Sequence, residues 1–230
     1  MSLGQNLQCL RKMRNKMTQE ELAARLNVSR QTVSKWELDV VFPEIDKIID
    51  LCDLFSCTMD ELVRGDLHLN DDAYSDIRTE TVEAFDYIKY AVISKEPETD
   101  AIQHVSEWAK ELGIENCEII GWDYPFLSQE QINVFHMHGY EAALILRDKI
   151  AVNLAEQPPI FHQEQQEYLA ITIKNPMSGP FCLIPNAYKA IMAHMKINGI
   201  KDKRDKNIIE CFEREYFKDG IDYMDVYIAI

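Results

Sequence analysis

The chain has 230 residues, of which 47% are hydrophobic and 27% charged, and a formal net charge of −15; that is room for two modest domains with real cores, and globally the wrong sign for a nucleic-acid binder. No apolar run approaches the roughly 20 residues of a membrane span, and the N-terminus carries no charged leader ahead of an apolar block, so a cytoplasmic protein without membrane contact is expected. The six cysteines, at 9, 52, 57, 117, 182 and 211, have no CxxC spacing and read as free thiols in a reducing compartment.

The charge is unevenly spread. Residues 1–36 hold seven Lys/Arg against Glu20 and Glu21, net +5, whereas residues 66–230 hold 15 basic and 29 acidic residues, net −14. Such a split suggests different partners: a polyanion for the first part, and for the second either a cation or plain solubility.

In chain order, Leu3, Leu7, Leu10, Met13 and Met17 recur at three- and four-residue steps, predicting an amphipathic helix whose polar side carries Arg11, Lys12 and Arg14. Thr18 followed by Glu21 is a capping box, opening a second helix with Leu22, Ala23 and Leu26 on one face and a stop at Asn27. Ser29 caps a third, in which Val33 and Trp36 recur at helical spacing while Arg30, Gln31, Ser34 and Lys35 face elsewhere. Pro43 suits the start of a fourth helix with the apolar stripe Ile45, Ile48, Ile49, Cys52 and Phe55. Thr58 and Glu61 cap a fifth that ends at Gly65.

The second and third helices form a pair suited to DNA. A major groove about 12 Å wide admits one helix; Arg30 can fork onto guanine, Gln31 can pair with adenine, and Lys35 can reach a base or a phosphate. Ser29, Thr32 and Ser34 are small and can bond phosphate oxygens. The competing reading makes Arg30, Gln31 and Lys35 a solvated helix face; on either reading Trp36 is expected in the core and Glu37 as a partner of Lys12 or Arg11. The layout TQEELAARLNVSRQTVSKWE followed by PEIDKIIDLCDLFSCTMDELV resembles the Cro/cI-type (XRE) helix-turn-helix family over about residues 5–64. That resemblance implies that Gln19 grips a phosphate, that the early positions of the third helix enter the major groove, and that homodimers read paired half-sites of double-stranded DNA. Leu38-Asp39-Val40 stands where many relatives carry Asn-Gly.

Residues 65–80 mix Gly, Asn, Asp and Ser with few apolar residues around a surface His68, and 66–80 read as a linker between a domain at 1–65 and one at 81–230. Beyond it the periodicity is mixed. Strands are predicted at VEAFDYIKYAVIS, CEIIGWDYP and VFHMHGYEAALIL, with a helix over residues 100–112 closed by Gly113; the cadence returns as a strand at EYLAITIKN, a helix from about Pro185 to Asn198 closed by Gly199, and strands at NIIECFEREY and YMDVYIAI. Strand, helix, strand, strand, twice over, is an internal repeat, each half a sheet carrying one helix. The expected architecture is multidomain: a five-helix all-α helix-turn-helix domain and an α+β domain of two β-α-β-β repeats.

This cadence, with YAVIS, Trp108 and Gly113, the Gly121-Trp122-Asp123-Tyr124-Pro125 segment, Gly139-Tyr140-Glu141-Ala142, Gly179-Pro180-Phe181, Ile209 to Phe212 and DVYIAI, resembles the GyrI-like small-molecule-binding (effector-binding) domain. The resemblance implies a cleft between the repeats that holds apolar, often cationic, aromatic compounds, with a buried glutamate at Glu210. Alternation sets Glu210, Phe212 and Arg214 on one strand face, and a carboxylate among apolar groups needs a partner; Trp108, Trp122, Tyr140, Phe181, Tyr188 and Phe212 are candidate walls. The other reading pairs Glu210 with Arg214 or leaves it at the surface, with the aromatics in the core. His136 and His138 share a strand face without an evident third ligand, so no metal and no cofactor are expected. A one-component bacterial transcription regulator, not an enzyme, responding to a small-molecule effector follows. A hydrolase of the GyrI-like class with a regulatory DNA-binding head is the alternative, and a protein-interaction module the third reading.

Overall fold

The structure, a computed structural model, describes residues 2–65, 73–147, 153–205 and 207–230; most of the expected linker, His68 included, lies outside the described residues. Two compact units emerge: Met1–Ser75 with Pro176–Asp202, and Asp76–Asn175 with Lys203–Ile230.

The first unit is helical. Its helices are α1 (Leu3–Met13), α2 (Gln19–Leu26), α3 (Arg30–Glu37), α4 (Ile45–Phe55) and α5 (Met59–Arg64). Thr18 and Thr58 each cap their helix through the hydroxyl while Glu21 and Glu61 reach back to the cap N–H, the expected capping boxes. Leu7, Leu10, Leu22, Val33, Leu51, Phe55 and Leu62 are fully buried. Gly4 lets α1 approach the end of α3: a Cβ there would lie 2.4 Å from the Trp36 carbonyl oxygen. Asp39 takes up the left-handed conformation (φ 56°), and its carboxylate accepts the Gly4 N–H at 2.9 Å. An Asp can hold this turn because its short polar side chain tolerates positive φ, which explains how the loop dispenses with glycine.

Three expectations need correction here. Arg11 is buried rather than on the polar side of α1, because Glu37 and the Met17 carbonyl satisfy it. On α4 only Ile48, Leu51 and Phe55 face the core, while Ile45 and Ile49 are exposed. The helix expected from Pro185 begins earlier, as α8 (Pro180–Asn198), and joins this unit instead of covering a repeat's sheet. It buries Ala187, Ala190, Ile191, Met195 and Ile197, packs on α1, and its Asn198 amide donates to the Met13 carbonyl at 3.0 Å.

The second unit is an eight-stranded antiparallel sheet. Its elements are β1 (Arg78–Val82), β2 (Phe85–Ser94), α6 (Pro97–Glu111), β3 (Glu118–Asp123), α7 (Gln129–Asn133), β4 (His138–Leu146), β5 (Phe161–Gln163), β6 (Gln166–Lys174), β7 (Cys211–Lys218) and β8 (Ile221–Ala229). The order is β1-β6-β8-β7-β3-β4-β2-β5. Each short leading strand pairs with the other half: β1 with β6, and β5 with β2. Residues 78–80, expected within the linker, belong to β1 and hence to a sheet edge, and the single strand expected over 82–94 is divided between β1 and β2. The short α7 and β5 were not anticipated. The halves join where Ile120 faces Arg214 and Gly121 faces Glu213 across β3 and β7.

The alternation of side chains divides the sheet into two faces. One packs under α6, where Ala101, Val105 and Trp108 meet Ile88, Tyr140, Ala142 and Leu144. The other gathers Phe85, Tyr87, Ile120, Ala143, Tyr168, Phe212 and Tyr227 from both halves. Strands distant in the order share this second core, so the sheet is curled around it.

Candidate nucleic-acid interface and ligand face

On α3, Val33, Trp36 and Glu37 are buried, while Ser29, Arg30, Gln31 and Lys35 are exposed and Thr32 and Ser34 half-buried. The Ser29 hydroxyl accepts the Thr32 N–H at 3.1 Å, fixing the helix start from which Arg30 and Gln31 project. The inner side is anchored by charge as well as by packing. Arg11 donates to both Glu37 oxygens, at 2.6 and 3.0 Å, and the Gln19 amide donates to Glu37 Oε2 at 2.8 Å. Glu37 is thus the expected partner of Arg11, and it orients Gln19 at the start of α2 through one of the two amide N–H groups, leaving the second as the donor that can face a phosphate. Arg30 meets Glu20 at 3.1 Å, with both side chains more than 60% exposed. Such a pair contributes at most about 1 kcal/mol and yields readily to a phosphate or a base.

Beside this face, Leu38, Val40, Val41, Phe42, Ile45 and Ile49 are all at least 49% exposed. Singly exposed apolar residues are ordinary, but six along one loop and the following helix are the kind of patch that marks association.

The ligand-site residues expected from the sequence divide between the two units, and within the sheet unit between its two faces. Glu210 is exposed and precedes β7, so it is no buried carboxylate. Trp108 and Tyr140 belong to the core beneath α6, on the opposite sheet face from Phe212, because Tyr140 alternates with the residue that points the other way. Phe181 and Tyr188 stand on α8 in the helical unit; Phe181, 95% exposed, lines an open cavity of about 830 Å³ with Phe55, Cys57 and Met192. Trp122 and Phe212 do share the curled face.

One carboxylate buried on that face is Glu141, 8% exposed. It lies directly across from Trp122 in the β3–β4 register, and the indole Nε1 donates to its Oε2 at 2.7 Å. Lys89 on β2 donates to both oxygens, at 3.0 and 3.2 Å, and its ammonium lies 5.0 Å from the centre of the Phe161 ring and 5.8 Å from that of Trp122. Toward β1 the same face carries a second charged group. Asp225, 2% exposed, accepts from Thr172 at 2.5 Å and Arg214 at 3.0 Å and pairs with Arg78 at 3.2 Å. Burial alone would raise the Asp225 carboxyl, but the Thr172 and Arg214 hydrogen bonds and the Arg78 charge prevail and hold it below the ordinary value. Arg214 also donates to the Tyr227 hydroxyl at 2.5 Å, which in turn donates to Glu80 at 3.0 Å. Burial pushes the Tyr227 phenol up, so it stays protonated.

Sequence reading missed Glu141 and Lys89. The available signal was an acid alone in the apolar run GYEAALIL; which cation and which indole it would meet depends on register.

Residues 10–62 match the helix-turn-helix family model HTH_3. A 66-residue stretch is 41% identical to the HTH-type transcriptional activator BcrR of Enterococcus faecalis, covering 29% of this chain and 32% of that protein, so the chain spans about a third of the length of the curated relative it matches. Among solved structures, the EcmrR–DNA complex in EcmrR-RPo is similar at 12% identity and TM-score 0.49, covering 95% of this chain and 78% of that one. SAV2435 bound to tetraphenylphosphonium is similar at 12% identity and TM-score 0.37, covering 67% and 93%. The segment comprising residues 10–62, with its capped α2 and α3 and its buried Val33 and Trp36, is accordingly a helix-turn-helix domain of the HTH_3 family.

Proposed function

We propose that the chain is a transcription regulator that binds double-stranded operator DNA through α3 and responds to a small aromatic effector received on the curled sheet face. The observation that carries the DNA half is the division of α3: an inner side locked by Val33, Trp36 and the Arg11–Glu37 pair, and an outer side that offers Arg30, Gln31 and Lys35 to a groove. In this reading Arg30 and Gln31 read base edges, Ser29, Thr32, Ser34 and Gln19 hold phosphates, and Lys35 serves either purpose. The exposed patch from Leu38 to Ile49 supports a second copy of the chain beside each head, so that two recognition helices meet half-sites about 34 Å apart. A protein with this role works in the cytoplasm; among the described residues no helix is long and apolar enough to cross a membrane.

For the effector half, Trp122, Phe161 and Glu141 supply an aromatic wall and a polar anchor, and Glu141, already held by two donors, serves binding rather than proton transfer. Coupling falls to α8. It belongs to the unit of α1–α5, yet the chain enters it from β6 and leaves it for β7, strands that carry Thr172, Phe212 and Arg214 of the ligand face. A ligand that favours one setting of these strands changes DNA affinity only as far as its own affinity differs between settings. Fluorescence anisotropy with DNA fragments from upstream of the coding region tests the DNA half. Saturable binding that weakens steeply with salt is expected, and salt-insensitive or absent binding would reject it.

A further inference from the structure

We infer that Lys89 is a built-in occupant of the effector seat and thereby sets the charge class of molecule the seat accepts; this rests on the reading of the Trp122–Glu141 face as a ligand site. A carboxylate flanked by aromatic rings is the arrangement that recognises an organic cation, through charge and through the negative faces of the rings. Here each of those elements is already engaged by the chain's own ammonium. Lys89 Nζ contacts both Glu141 oxygens, at 3.0 and 3.2 Å, and lies over the Phe161 and Trp122 rings at 5.0 and 5.8 Å. The strand register makes this placement deliberate rather than a stray surface contact. Glu141 pairs with Ala91 across β2 and with Trp122 across β3, and Lys89, opposite Ala143, is the diagonal neighbour whose long stem spans the offset.

The consequence is a seat that is neutral as built. An external cation must expel an ammonium that is tethered to the same sheet and so competes at a high effective concentration, whereas an uncharged aromatic molecule can stack against Trp122 and Phe161 with the Lys89–Glu141 pair intact. Wild-type protein therefore discriminates against permanent cations, and removal of the Lys89 charge converts the site into a cation receptor.

The test measures binding of tetraphenylphosphonium to the full chain by calorimetry and by quenching of tryptophan fluorescence. Wild type, Lys89→Met, Lys89→Gln and the double variant Lys89→Gln/Glu141→Gln are compared. Lys89→Met leaves Glu141 without its cation and is the variant that risks misfolding; Lys89→Gln keeps a hydrogen-bond donor for the carboxylate, and circular dichroism checks the fold of each. The expected result is at least a tenfold gain in cation affinity in the single variants over wild type, abolished in the double variant. Equal or tighter binding by wild type would overturn the role of Lys89 while leaving the ligand face standing. Absence of binding in every folded variant would overturn both.

Discussion

In the proposed function α3 and the curled sheet face meet the same need, holding polar side chains ready for a partner, in opposite ways. On α3 the two tasks occupy two sides of one cylinder: Val33, Trp36 and Glu37 are buried, and Arg30, Gln31 and Lys35 project into solvent. On the sheet face a single set of side chains does both, since Glu141, Trp122, Arg214 and Asp225 point into the same core that Tyr168, Phe212 and Tyr227 fill. A function worn outside a fold can be altered without unfolding it. A function built into a core cannot, and substitutions there must be read for stability before they are read for binding.

The sharpest break of that contrast lies on the inner side of α3. Glu37→Ala strands Arg11, which is 8% exposed, with the Met17 carbonyl for company, and also frees the Gln19 amide. Removing one partner of a buried pair costs about 3–5 kcal/mol, so the urea midpoint of the helical unit should fall steeply; a loss below about 1 kcal/mol would show that the pair is not the anchor described here. Next comes Asp225→Asn on the sheet face. Its cationic partners Arg78 and Arg214 are partly exposed, so water recovers part of the loss and the expected cost is about 1.5–3 kcal/mol, the range for charged hydrogen bonds. Because the folded pKa of Asp225 is lowered, its contribution is complete above the ordinary value of 3.8 and is lost as pH falls through the folded value. The wild-type advantage over Asp225→Asn should therefore shrink only under acid conditions below about pH 4, and an advantage constant with pH would reject the ionic account.

What the sequence made legible follows the same divide. The paired capping boxes at Thr18 and Thr58, the cap at Ser29 and the spacing of Val33 and Trp36 are local signals, complete within a few residues, and the helix pair they predict is the one found. Strand content was legible for the same reason, since alternation and β-branching are local. The proposed ligand face was not, because it depends on which strands become neighbours. Tyr140 and Glu141 are adjacent in sequence and lie on opposite faces, and only the β2–β4 and β3–β4 registers show that Lys89 and Trp122 converge on Glu141. Helix α8 marks the same boundary: its apolar residues predict a buried side, but nothing in its own pattern says whether a sheet or a set of helices will bury it.

On the outer side of α3 the contrast predicts a change of function at little cost in stability. Arg30→Ala removes a side chain whose ion pair to Glu20 is exposed, so the unfolding midpoint should stay within about 0.5 kcal/mol of wild type. Sequence preference at one base pair should relax by about 1–3 kcal/mol. Lys35→Ala, if it holds a phosphate, should weaken all sequences alike and lower the salt slope by about one. A competition assay against a panel of single-base operator variants separates the two, and an unchanged preference in Arg30→Ala would remove that residue from base reading.

The smallest expected effect comes from carboxylates on the α6 side of the sheet, where the surroundings are the reverse of those at Asp225. Glu215 on β7 is raised above the ordinary carboxylate value, first by partial burial and then by the charges of Glu98 and Asp222, and Glu98 at the start of α6 is raised by burial and by Asp123. Among the described residues no arginine pair offsets these shifts as Arg78 and Arg214 do for Asp225. A carboxyl whose folded pKa is raised imposes a penalty that is absent below its unfolded value near 4.5, grows as pH rises through the folded value, and is full at neutral pH. Glu215→Gln removes that penalty. Since the side chain reaches solvent, the gain at neutral pH should be no more than about 0.5 kcal/mol, read as a small rise in thermal midpoint that disappears at pH 4. A variant equally stabilised at both pH values would point to packing of the amide instead of relief of like charge, and would leave Asp225 as the only carboxylate of the two whose ionisation the sheet registers.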